Sequence, residues 1–303
     1  MNRATAFAPG SIGNVGPGFD VLGLAVDGIG DTVTVELTRG ASRVEQVTGR
    51  DAELVPLDPD RNCAAIAANA HLRAYGFRAI VSVEKGLALA GGMGGSAASS
   101  VAGAYAAALA LGQAPALGDV FAAALEGESA ISGRHLDNIS PSILGGLALS
   151  RSTDPIDAVK VPVKEDWWIA LVTPRVRIET KEARAILPQQ CDRALWIQQM
   201  ANTTALAHAF AAGDGPLLGR ALDDRYAEPL RAPLIPHFHD VKRAALDAGA
   251  FGCSISGSGP TIFAIAPDAP TANACAAAMQ QAFAEVRSTS HVGAIATEGV
   301  RGV

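Results

Sequence analysis

Between Glu84 and Leu111 the chain reads EKGLALAGGMGGSAASSVAGAYAAALAL, a glycine-rich turn that opens directly into an alanine-rich run. Gly91, Gly92, Gly94 and Gly95 permit positive φ and a close approach to another group, because no Cβ stands in the way. Alanine, the best helix former, dominates the run after the glycines, and no proline intervenes before Pro115. The first turn of such a helix leaves its amide N–H groups unpaired and aimed the same way, with the positive end of the helix dipole behind them. That is an anion site, and phosphate is its usual occupant. Two other readings compete. Gly92, Gly94 and Ala97 also satisfy G-x-G-x-x-A, the loose dinucleotide fingerprint, although no βαβ unit with an acid about 20 residues on accompanies it. The stretch could also be a helix of small residues packed closely on a neighbour. The lysine of a Walker A loop is missing.

Glu128 lies seven residues after Phe121 and so shares its apolar helical face, whereas Glu126 does not. An inward carboxylate is costly unless a cation or hydrogen-bond donors answer it. A Mg²⁺ that also touches ATP phosphates is one such cation, a structural arginine another. Further on, GRHLDNISPSILGGL places His135, Asp137 and Asn138 within four positions, ahead of a proline and a diglycine. Asn14 and Asp20 stand in PGSIGNVGPGFD, read as an ordered irregular loop over residues 9 to 20. It either presents those side chains or ties them to its own backbone. His237 and His239 have i, i+2 spacing, which is no helical metal site and fits a surface loop.

The elements that must position these groups are legible in outline. Asp31 to Thr38 alternates, with Val33, Val35 and Leu37 on one face, as a half-buried strand does. Asp60 to Tyr75 has a helical pattern, with Asn62 at its start as a cap. Residues 79 to 84 form a strand leading into the glycine turn. A helix is expected over Asp119 to Ile131 with Asp119 as its cap, and a short helix capped by Thr180, containing Arg184 and stopped by Pro188. Arg231 sits in DRYAEPLRAPLIPHF. Residues 249 to 265 read as strand, Gly-Ser-Gly-Pro turn, strand, and the turn's glycines allow it to approach the first glycine loop. Two prolines and scattered charge over residues 151 to 166 suggest a boundary between a domain of residues 1–160 and one of 161–303.

Composition narrows the function. A formal net charge of −6 and a pI near 5.5 leave no basic stripe for nucleic acid. The four cysteines are scattered without C-x-x-C, which suggests free buried thiols in a reducing cytoplasm. No stretch has signal-peptide or membrane-spanning character, so no membrane partner is expected.

Several separated motifs together carry a family resemblance. APGSIGNVGPGFDVLGLAV, AGGMGGSAAS and SISGSGPTIFA are similar to the three signature regions of the GHMP kinases. HLDNISPSILGG, and IETKEARAILP followed by AEPLRAPLIP, narrow the resemblance to the homoserine kinases over essentially the whole length. The resemblance implies an α+β fold of two domains, the first ribosomal-protein-S5-like with a left-handed β-α-β unit and the second ferredoxin-like, with the site between them. It implies ATP-dependent phosphorylation of the hydroxyl of L-homoserine in threonine biosynthesis, and a possible homodimer. Ser96 and Glu128 would hold Mg²⁺. The loop Ala88, Leu89, Ala90, Gly91, Gly92, Met93, Gly94, Gly95, Ser96, Ala97 and Ala98 would cradle the phosphates, and Asn62 would lie near the adenine. Asn14, Asp20, His135, Asn138, Arg184 and Arg231 would contact homoserine, with Thr180 close to the reacting groups. Homoserine kinases place an asparagine where some relatives have a basic aspartate, here Asn138, so no catalytic base is expected and Asp137 is the fallback. Compared with the family loop, Ala88 replaces a proline, Met93 a leucine and Gly95 the first serine. The segment between Glu128 and His135 is also one residue short.

The residue chemistry agrees with a zwitterionic substrate. Arg184 and Arg231 suit its carboxylate, and Asp20, Asn14 and Asn138 suit its ammonium. A kinase for another small alcohol, mevalonate- or shikimate-like, is the alternative within the superfamily. A dinucleotide-dependent oxidoreductase and a silent homoserine-binding protein are the alternatives outside it.

Overall fold

The structure is a computed structural model that describes residues 2–303. β1 (Arg3–Gly13) runs antiparallel to the long β2 (Leu22–Thr38), so the irregular loop expected from residue 9 is shorter and spans residues 14 to 21. The alternation that marked residues 31 to 38 is the second half of β2. β3 (Arg43–Gly49) is joined through α1 (Cys63–Leu72) to β4 (Arg78–Lys85), which runs parallel to it. This β-α-β unit precedes the glycine loop. Asn62 caps α1, its Oδ1 accepting the Ala65 N–H at 3.2 Å.

After the loop come α2 (Gly95–Ala110), α3 (Leu117–Ile131) and α4 (Ile139–Leu144). The cap of α3 is Ala116; Asp119 lies inside the first turn, where its charge favours the helix dipole. The small residues of α2 do serve close packing: a Cβ on Gly103 would lie 2.5 Å from the Ala64 carbonyl of α1. Close packing and an anion-binding start are therefore properties of one helix.

The segment expected to link two domains is largely a hairpin of β5 (Leu147–Thr153) and β6 (Ile156–Val161), added to the first sheet beside β2. The chain then enters a second sheet through β7 (Trp168–Pro174). Five helices follow: α5 (Thr180–Ala185), α6 (Arg193–Ala212), α7 (Gly215–Ala221), α8 (Glu228–Arg231) and α9 (Phe238–Asp247). The chain closes with β8 (Gly252–Ile255), β9 (Ile262–Ala266), α10 (Ala269–Ala282), β10 (Ser288–Ala294) and β11 (Arg301–Gly302). Glu179 rather than Thr180 is the N-cap of α5; His237 lies in the exposed turn that caps α9, whereas His239 is inside the helix and not in a loop. Cys253 and Cys275 are buried as expected, but Cys191 is exposed.

The second sheet has the order β10-β7-β9-β8, antiparallel throughout, which with its helices is a ferredoxin-like β-α-β-β-α-β arrangement. Its two faces alternate strictly. Ile169, Leu171, Phe263 and Ile265 join the core shared with α6 and the first sheet, whereas Ala170, Val172, Ile262 and Ala264 pack under α9 and α10. β11 returns to pair with β1, tying the chain's end to the first sheet. Among the described residues no helix is long and apolar enough to cross a membrane.

Candidate active site

The glycine loop is held from behind by its carbonyls. Gly91 O accepts from the Thr261 hydroxyl and Gly92 O from Ser256 Oγ at 2.6 Å, both in the β8–β9 turn. Met93 O accepts the Ser11 N–H at 3.1 Å. The approach of the two glycine turns expected from the sequence is thus made by hydrogen bonds. Gly94, at φ 63°, caps α2; a Cβ there would lie 2.3 Å from Ser11 Oγ and 2.8 Å from Asn138 Oδ1. Ala98 is the first residue to bond back, to Gly94 O at 2.8 Å. The amides of Gly95, Ser96 and Ala97 are therefore the unpaired first turn, facing a cleft of about 330 Å³.

Glu128 opens into the same cleft from α3. It is buried, its Oε2 has no hydrogen-bond partner, and burial pushes its carboxyl up to about 7 despite the Ser96 and Ser132 hydroxyls beside it. A buried carboxylate oxygen left bare is costly unless something positive completes it. Ser96, in the first turn of α2, stands at the carboxylate's side.

The remaining wall comes from both halves of the fold. Asn138 Oδ1 accepts from Ser11 Oγ at 2.9 Å and its amide donates to Asp137 Oδ2 at 3.2 Å. Burial, then Asp20 and Glu128, raise Asp137 to about 7. His135 lines the cleft, its pKa lowered by burial and by Arg184. Asn14 and Asp20 both have positive φ, 66° and 59°. Asn14 Oδ1 accepts the Asp20 N–H at 3.0 Å, and its amide donates to Gly257 O, also at 3.0 Å. So Asn14 does tie the loop to itself, and Asp20 is the side chain that the loop presents. Thr180 and Arg184 are one turn apart on α5. Thr180 Oγ1 lies 3.4 Å from Ser258 Oγ, and Arg184 forks onto Asp20 at 2.9 and 2.7 Å. Arg231 is buried, bonded through Nε to Ala183 O at 3.1 Å and through Nη1 to Gly257 O at 2.9 Å. All of these expected residues line one cleft.

Family comparisons agree with that geometry. The GHMP kinases N terminal domain matches residues 62–146, and GHMP kinases C terminal matches residues 206–285. A homoserine kinase of Chloroherpeton thalassium is 40% identical over 299 residues, covering 94% of each chain. One of Arabidopsis thaliana is 40% identical over 95% of this chain and 80% of its own length. The crystal structure of homoserine kinase from Cytophaga hutchinsonii superposes with a TM-score of 0.93 at 39% identity, covering 100% and 98% of the two chains. The chain belongs to the homoserine kinase family.

GHMP kinases use ATP as phosphate donor, generally with Mg²⁺. The dinucleotide reading of the glycine loop falls with this assignment, and the mostly antiparallel first sheet gives it no doubly wound crevice. Among the described residues no three His, Cys, Asp or Glu side chains gather to cage a metal. The bare Glu128 oxygen and the Ser96 hydroxyl instead fit an ion that completes its shell with phosphate oxygens and water, as Mg²⁺ does.

Two features of this homoserine kinase family member were not anticipated. The first is an ion pair of Lys85 and Asp31, both almost wholly buried, under the loop. Asp31 Oδ1 accepts the Gly86 and Leu87 N–H groups at 3.0 and 3.2 Å, while Lys85 Nζ donates to Gly95 O at 3.1 Å. The pair thus grips both ends of the glycine loop. The second is Phe19, with the Arg184 and Arg231 guanidinium carbons 5.2 and 5.5 Å from its ring centroid. Of the expected loop residues, the side chains of Met93, Ala97 and Ala98 are buried away from the cleft, and Asn62 is set apart from it altogether. Its Oδ1 is used as a cap and its amide donates to Pro56 O at 3.0 Å, and it does not line the cleft. Beyond Ala88, Leu89 and Gly91 the cleft continues into a cavity of about 690 Å³, walled by Leu54, Val176, Arg50 and Arg177 among others.

Proposed function

We propose that this chain transfers the γ-phosphoryl group of ATP to the hydroxyl of L-homoserine, yielding O-phospho-L-homoserine and ADP. The observation that carries the reading is the contiguity of an amide-lined phosphate loop with a cleft in which Arg184 and Arg231 stand beside the Asp20 carboxylate. A shikimate- or mevalonate-like acceptor has a carboxylate for the arginines but no ammonium for Asp20, which disfavours it.

The loop amides of Gly95 to Ala97 take the β- and γ-phosphate oxygens, and the adjoining cavity has room for adenosine, with Leu54 and Val176 as apolar surface. Ser96 and Glu128 hold Mg²⁺, which supplies charge neutralisation at the phosphates when bound. Arg184 and Arg231 fix the acceptor's carboxylate, and Asp20, with His135 and Asn138 nearby, receives its ammonium. That anchoring sets the terminal hydroxyl toward the loop, beside Thr180. The hydroxyl oxygen forms the new P–O bond as the bond to ADP breaks, and the hydroxyl proton passes to a transferred phosphoryl oxygen and on to water. Because the transition state is loose, positioning and charge stabilisation carry most of the acceleration, and Asn138 holds geometry without acting as base.

A coupled assay of ADP release with a panel of hydroxyl compounds tests this. L-homoserine should be the strongly preferred acceptor. Turnover of mevalonate or shikimate with none of homoserine refutes the substrate; no ADP release with any acceptor refutes the kinase.

A further inference from the structure

Asp20 and Arg184 come from opposite walls of the cleft, the β1–β2 loop and α5, and meet as a two-pronged ion pair. In the proposed function they bind opposite ends of the substrate, so in the unliganded protein each occupies the place of the other's ligand. The charge around them is unbalanced. Arg231, 3% exposed, spends its donors on two backbone carbonyls, neither of which matches its charge. Arg184 Nε is buried without a partner. Two guanidinium groups therefore share the Phe19 ring with a single paired carboxylate.

We propose that substrate enters by partner exchange. The ligand carboxylate takes Arg184 together with Arg231, the ligand ammonium takes Asp20, and the resident ion pair opens at low cost only when both replacements arrive in one molecule. The inference rests on homoserine as substrate and adds the reason the site demands a zwitterion. A hydroxy acid lacking the ammonium, such as 4-hydroxybutyrate, would have to strip Arg184 from Asp20 and leave that carboxylate unmatched. Asp20 thus acts for the zwitterion and against the monoanion.

The test is Asp20→Asn, with Asp20→Gly as a second variant, since a φ of 59° is open to asparagine and free for glycine. Calorimetric binding of L-homoserine and of 4-hydroxybutyrate is measured on the full chain with a non-hydrolysable ATP analogue and Mg²⁺. Homoserine should weaken about tenfold or more as its ammonium loses a charged partner. In the same variants 4-hydroxybutyrate should tighten roughly two- to fivefold, the worth of a part-exposed ion pair no longer to be broken. A monoanion affinity unchanged or lowered in both variants overturns the exchange. So does a crystal with homoserine bound in which Arg184 still forks onto Asp20. If wild-type protein phosphorylates homoserine and the two ligands do not part in sign, the exchange alone fails; if it phosphorylates no homoserine, the substrate reading fails with it.

Discussion

Asp137→Asn should make the unliganded protein more stable at pH 8 and nearly unchanged at pH 5. Asp137 is buried, and its carboxyl is lifted from 3.8 to about 7 by burial first, then by Asp20 and Glu128, against Arg184 and the Asn14 N–H. A folded-state value above the unfolded one means that the native protein keeps a proton the unfolded chain has already released. The stability this gives is full below the unfolded value and is lost as pH rises through the folded one. The loss runs at roughly 1.4 kcal/mol per pH unit between about pH 4 and 7 and totals on the order of 4 kcal/mol. Roughly 3 kcal/mol of it falls between pH 5 and 8. Asparagine does not titrate, but it gives up one acceptor of the Asn138 and Asn14 hydrogen bonds, a cost of about 1 kcal/mol. Urea unfolding of both proteins from pH 5 to 8, without nucleotide or metal, should therefore show near parity at pH 5 and an advantage of about 3 kcal/mol for the variant at pH 8. Glu128 titrates over the same range and helps raise Asp137, so the pair of proteins is compared in a Glu128→Gln background to isolate the Asp137 contribution. Parallel curves over that range would refute the claim that the cleft holds this carboxyl neutral.

Glu128→Gln should lower kcat about a hundredfold or more while leaving the homoserine Kd within about twofold, because it removes a metal ligand and no substrate contact; steady-state kinetics and calorimetry decide, and an unchanged kcat sinks the metal role. Arg231→Ala should raise the homoserine KM about tenfold or more and the ATP KM far less; equal rises would contradict the carboxylate fork. Lys85→Met should cost about 3–5 kcal/mol in urea unfolding by leaving Asp31 buried and unpaired, and Asp31→Asn in the same chain should recover part of it. No recovery would mean that the ion pair is not the unit gripping the glycine loop.

The phosphate loop was legible because its chemistry is local. Four glycines and an alanine run are enough to fix a positive-φ cap and an open first turn. Glu128 was legible because a helical period puts it beside Phe121. The clefts between elements were less so. Asn14 could be read as presenting its side chain or as bonding its own loop, and only the fold shows that it bonds both Asp20 and, across the cleft, Gly257. The caps at Ala116 and Glu179 were missed for a different reason: Asp119 and Thr180 are better capping residues by type, yet here they sit inside the first turn while residues without a side-chain cap bond stand at the boundary. Asn62 kept its local role, and one side chain that already caps a helix and holds Pro56 O has little left for a base.

The Lys85–Asp31 pair was within reach of the sequence, and parity is the argument. Asp31 is in phase with Val33 and Val35 on β2, and Lys85 with Val81 and Val83 on β4, so each strand's alternation already turns its charged residue inward. Neither charge alone has a reason to be there, since an isolated buried ion is prohibitive. The antiparallel register supplies the reason by setting Asp31 directly opposite Lys85. From that pairing the carboxylate reaches the amides that begin the glycine loop, and the ammonium reaches the carbonyl at its end. Two inward charges of opposite sign at facing positions of paired strands, with a glycine loop leaving one of them, thus mark a loop whose shape is set before any phosphate arrives. That is the preorganisation a loose phosphoryl-transfer transition state requires of its protein.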